Sequence, residues 1–230
     1  MTGQSGPEQL SLDRPITTPG QLLVEGRVPE MFFREMIVTC NIEAAVEVRT
    51  FGDISKDNLQ TYLELIKQKP AFKQHVKRLG IIRDAEAASA DSALQSVQAA
   101  LRGAQLPAPS VTKVLEGSPV EIGVFILPNC RDSGMLEELC LAAVAETERE
   151  QPGAVLPCVE EFFACLEERG KRPANLSKAR FAGYALARDI IDPQLGRAAQ
   201  KGVIPWKAKA FDPLRAFVCL IAGTSGSSAS

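Results

Sequence analysis

Two acidic motifs stand where apolar stretches run out: Leu22-Leu23-Val24-Glu25-Gly26 and Gly80-Ile81-Ile82-Arg83-Asp84-Ala85-Glu86. If both stretches are strands of one parallel sheet, their C-terminal ends line up along the edge at which such sheets bind ligands. Glu25, Asp84 and Glu86 then meet. Carboxylates gathered at one edge repel one another unless a positive charge sits between them, and a hard divalent cation with oxygen ligands is the usual answer. Mg2+ keeps several waters and needs only two or three carboxylates plus phosphate oxygens, so these residues suit Mg2+ or Mn2+. Asp84 and Glu86 have i, i+2 spacing, which on an extended segment turns both to one face. Gly26 lets the backbone turn sharply or approach a ligand, and a helix starting just beyond it aims free amides at the same edge, an arrangement that favours phosphate. An acid there also stabilises the helix dipole without any chemistry, by about 1 kcal/mol or less.

The elements that must position these residues alternate along the chain. Strands are expected at about 21–25, 45–50 and 78–83, with helices at about 28–39, 55–68 and 90–102. Pro29 suits a first helical turn, Ser55 a helix N-cap and Gly103 a helix end. Beyond the Pro-rich loop 107–109, the segments 111–116 and 120–127 read as a hairpin turning through Gly117-Ser118-Pro119. Helices follow at about 134–149, 156–169, 176–189 and 213–221, with 196–205 irregular. The fold class is α/β, a small, mostly parallel sheet flanked by helices with additional C-terminal helices. In domain terms, 1–19 is an N-terminus without fixed structure, 20–150 the core, 151–222 a helical extension packed on it and 223–230 a flexible tail.

Composition narrows the function. The 230 residues are 45% hydrophobic and 23% charged, and no run approaches a membrane span, which points to a cytoplasmic globular protein. Six cysteines without a CxxC pair read as reduced, buried thiols, Cys158 and Cys165 among them. The single histidine, His75, is flanked by lysines and reads as a surface imidazole, which excludes histidine-rich zinc sites. Net charge is −2, yet residues 135–168 hold nine acids and one base, whereas 169–215 hold eleven bases and three acids. Lys171, Arg172, Lys178 and Arg180 in that basic stretch are candidates for binding DNA or RNA, beside the alternative of solvated helix faces. Asn175 or Ser177 is the expected N-cap of the helix there, and Trp206 a packing anchor.

Val24-Glu25-Gly26 followed by the Asp84-Ala85-Glu86 pair resembles the Toprim fold, the nucleotidyl and phosphoryl transfer module of topoisomerases, primases and OLD-type nucleases. The likeness covers about 21–145, and the helices beyond resemble those of small standalone prokaryotic Toprim-like proteins. It implies that Glu25 is a general acid/base or a metal ligand and that Asp84 and Glu86 hold metal. Glu86 stands where the family has aspartate, which leaves a water-mediated or Mn2+ role for it. The resemblance also makes Glu137, or failing it Glu138, a second metal position, and Lys178 of Asn175-Leu176-Ser177-Lys178-Ala179 a catalytic cation. It thus implies a metal-dependent nuclease, with a role as an effector of prokaryotic phage defence. No Walker loop is present, so any ATPase partner is a separate chain. A homo-oligomer is compatible with this reading. The competing expectation is a non-catalytic Toprim-like binding or regulatory protein that has lost turnover.

Overall fold

Gly20–Val24 is apolar apart from Gln21 and buried along its whole length, as a strand covered on both faces must be. In the computed structural model, which describes residues 11–52, 59–149 and 151–224, it is β1, an inner strand of a four-stranded sheet. Its partners are β2 (Val46–Thr50), β3 (Arg78–Asp84) and, beyond β3, β4 (Glu121–Leu127), in the order β2-β1-β3-β4. Every pairing is parallel. Helix α1 (Arg27–Thr39) joins β1 to β2 on one face. The chain then crosses back over β1, so right-handed connection places α2 (Leu59–Ile66), α3 (Pro70–His75) and α4 (Ala90–Gly103) on the other. Leu59, Leu63 and Ile66 are buried as their helical spacing predicts. Ser55 lies outside the described residues.

After β4 the chain is helical: α5 (Leu136–Glu148), α6 (Leu156–Glu168), α7 (Leu176–Leu186), α8 (Leu195–Gln200) and α9 (Asp212–Ala222). Residues of α1, α5, α7, α8 and α9 share one buried cluster with the sheet, whereas α2 to α4 build the cluster on the opposite face. Trp206 packs its ring 4.9 Å from Phe32 and 5.7 Å from Phe211, as an anchor does. Among the described residues no helix is long and apolar enough to cross a membrane.

Four expectations are corrected. Residues 11–19 are not loose: Arg49, 2% exposed, donates to the carbonyls of Ser11 (2.8 Å), Arg14 (3.1 Å) and Pro15, and to Gln21 Oε1. Ser11 Oγ accepts the Thr50 N–H and Arg14 donates to the Val48 carbonyl, so this strap satisfies the outer edge of β2. The hairpin is half formed: Lys113 takes a left-handed φ of 64°, and 111–116 meets β4 through an antiparallel bridge from Glu116 to Ile122 and the Lys113 N–H donated to the Val124 carbonyl at 2.8 Å. A helix, α8, occupies the start of 196–205. Finally, Cys158 and Cys165 lie on the exposed face of α6, and of the six cysteines Cys140 is the buried one.

Candidate functional site

The crossover that reverses direction does so between β1 and β3, so the carboxyl ends of these two strands flank a crevice. Glu25 follows β1 directly and Asp84 ends β3; with Glu86, Glu137 and Lys178 they line one cleft of about 470 Å3. The remaining wall is mostly apolar: Val28 and Pro29 from α1, Leu136 from α5, Phe181 and Ala182 from α7, and Pro193 and Leu195 at α8, with Gln194 among them. Three separate stretches of chain thus bring their acids to one place.

Asp84 is the most perturbed of these. Its carboxyl is pushed up to about 7, chiefly by burial and then by the negative charge of Glu137, with Glu25 adding to it. The Leu136 N–H, donated to Asp84 Oδ1 at 2.9 Å, and the Lys178 ammonium act in the opposite direction. Glu137 is also raised, mainly by burial, and is likewise eased by Lys178. Cys140, fully buried behind them, is held as a thiol by burial and by the same two carboxylates. Glu25 is exposed, with Arg83 Nε 3.7 Å from its Oε2.

Lys178 sits in the first turn of α7, where the helix dipole disfavours a cation. Asn175, not Ser177, is the N-cap, accepting the Lys178 N–H at 2.9 Å. Ser177 instead donates to Glu138 Oε1 at 2.7 Å. The other oxygen of Glu138 reaches back to accept the Met135 N–H, which caps the start of α5. That return path crosses Gly134, φ 135°, where a Cβ would lie 2.2 Å from Glu138 Oε2. Glu138, the reserve metal position, thus holds α5 to α7 and is not among the cleft residues.

Two other expectations change in their reason. Gly26 does supply the turn, with φ 87°, but its N–H is donated to Thr50 Oγ1 at 2.8 Å and it does not line the cleft. Asp84 and Glu86 do not share a face by strand alternation, because Glu86 takes a left-handed φ of 54°. Its backbone instead pairs with Gly134 in both directions, at 2.7 and 2.8 Å, tying the loop after β3 to the loop before α5. The Glu86 side chain ends up exposed at the cleft's rim.

Of the four basic candidates the cleft gathers only Lys178. Arg172 lies 3.6 Å from Glu167 and Arg180 2.8 Å from Glu160, and Lys171 is exposed just past α6. Arg188, Arg197 and Arg215 are likewise set against Glu148, Asp192 and Asp212. His75 is exposed at the end of α3, away from the cleft. Sequence reasoning missed the apolar wall. Its signal was Gly196, where a Cβ would meet Met31 Cβ at 2.7 Å and the Val28 carbonyl at 3.0 Å, a contact that only glycine lets two helices make.

Among the described residues no three His, Cys, Asp or Glu side chains converge into a ready-made metal cage. Mg2+ does not require one: it is held by one or two carboxylates, waters and substrate phosphate oxygens. A half-buried carboxyl with a raised pKa, facing a second and a third acid, fits such a cation better than it fits a metal that demands several protein ligands.

Fold and site define an α/β protein with a four-stranded parallel sheet and an acidic cleft at its switch point. The chain belongs to the family described as "Protein of unknown function (DUF3226)", whose model matches residues 19–221. No curated protein and no solved structure matches it.

Proposed function

We propose that the protein is a Toprim-like, divalent-cation-dependent phosphodiester hydrolase, a nuclease acting at the cleft between β1 and β3. One observation carries this reading: Asp84, Glu25 and Glu137 come from three different elements to the same cleft, with Lys178 facing them. Mg2+ or Mn2+, when bound, would neutralise the phosphate and activate water. Asp84 and Glu137 would hold it, and Glu25, exposed and nearest to solvent, would take the proton from the attacking water or complete the ligand set. Lys178 would stabilise charge developing on a phosphate oxygen. Glu86 stands outside this set as a rim carboxylate. A cytoplasmic location, a separate ATPase chain, homo-oligomers and a part in phage defence are compatible extensions that rest on the resemblance alone.

The second reading, a binding or regulatory protein without turnover, is favoured by the commitment of Glu138 to capping and of one Asp84 oxygen to the Leu136 N–H. Cleavage of DNA and RNA with added Mn2+ or Mg2+ separates the two. The hydrolase reading expects metal-dependent cleavage by the wild type, reduced at least ~100-fold in Asp84→Asn and Glu25→Gln. Equal behaviour of all three proteins favours the binding module.

A further inference from the structure

Among the described residues the cleft is short of positive charge: four carboxylates line it, and Lys178 is the one lysine or arginine of that lining. The arginines of the basic C-terminal stretch do not add to this, because five of them lie against acids of their own. A phosphate can recruit such an arginine only by displacing a resident carboxylate, and the exchange gains little.

A long strand brings one phosphate per nucleotide, and those flanking the reacting one would approach the exposed rim acids Glu86 and Glu25, the latter met by Arg83 at 3.7 Å. Proteins that track strands instead supply a positive groove along the backbone. A dinucleotide carries a single bridging phosphate and has no such neighbours to repel. The opposite wall, with Val28, Phe181 and Leu195, offers apolar surface to a base or sugar. The volume, about 470 Å3, lies within the range of small-molecule sites, about 300–1,000 Å3.

We infer that this cleft takes a short phosphodiester of dinucleotide size, and not internal bonds of long nucleic acid. The inference rests on the hydrolase reading above. It is tested with the full chain and Mn2+ on four probes: the ribo- and deoxyribodinucleotides of adenine, and a single strand and a duplex of about twenty nucleotides. The expected result is a kcat/KM for one of the dinucleotides at least about tenfold above that for either long substrate, per bond. KM for the dinucleotide should depend only weakly on salt, because a single bridging phosphate carries no condensed counterion atmosphere to release. Glu86→Lys, which replaces a rim acid by a cation, should narrow the preference by improving the long substrates.

Efficient cleavage of the long strands with the dinucleotides left intact, or a salt slope of several contacts, overturns the inference and leaves the hydrolase reading standing. Absence of metal-dependent turnover on all four probes overturns the hydrolase reading and the inference with it.

Discussion

Asp84 holds its proton to about pH 7 in the folded protein because burial and the Glu137 charge disfavour its anion. An unfolded aspartate titrates near ~3.9, so between these values the folded chain binds more protons and stability falls as pH rises. Below about pH 4 and above about pH 7 the effect is flat. Asparagine at this position keeps an oxygen for the Leu136 N–H but cannot ionise. The difference in unfolding free energy between wild type and Asp84→Asn should therefore shift against the wild type by on the order of 2 kcal/mol from about pH 5 to about pH 8. Urea titrations at the two pH values measure it, and parallel stability curves would show that Asp84 is not held in this environment. At this scale the sequence was a partial guide. That Glu25 and Asp84 share a cleft was legible from acids standing where apolar runs end, whereas Glu137 came from the family resemblance. The partners that engage Glu138 and Gly26, Ser177 and Thr50, were not legible because they are far away in sequence.

At the scale of elements, what pins β1 and β2 is the N-terminal strap. Arg49 is buried in β2 and spends its donors on the carbonyls of Ser11, Arg14 and Pro15 and on the side chains of Gln21 and Glu47. Replacing it with methionine takes the Arg49 donors from those acceptors, of which Glu47 keeps Thr17 and Gln21, a change that costs about 3 kcal/mol or more. Arg49→Met should lower the urea midpoint accordingly and expose residues 11–17 to protease. A loss below about 1 kcal/mol would show that the strap is incidental. Strands β1 to β3 and helices α1 and α4 were readable from periodicity, which local sequence carries. The strap, the broken hairpin at Lys113 and helix α8 were not, because each is fixed by a distant partner: Arg49 for the strap, β4 for the bridge at Glu116, and α1 for α8 through Gly196.

For the molecule as a whole, the sheet brings β1 and β3 side by side and the C-terminal helices close the cleft between them. Helix α5 contributes Glu137, α7 contributes Lys178 and Phe181, and α8 the opposite wall. The C-terminal helices are thus part of the site and not an appendage to a self-sufficient core. The basic character of 169–215 was legible, but its pairing with acids was not, because charges close in space are spread over the chain. The central claim is that these acids hold a divalent cation, and calorimetric titration with Mn2+ at about pH 8, where Asp84 is mostly ionised, tests it most directly. The account predicts saturable binding by the wild type, weakened at least ~10-fold in Asp84→Asn and Glu137→Gln. No binding by the wild type, or equal binding by all three, would contradict it.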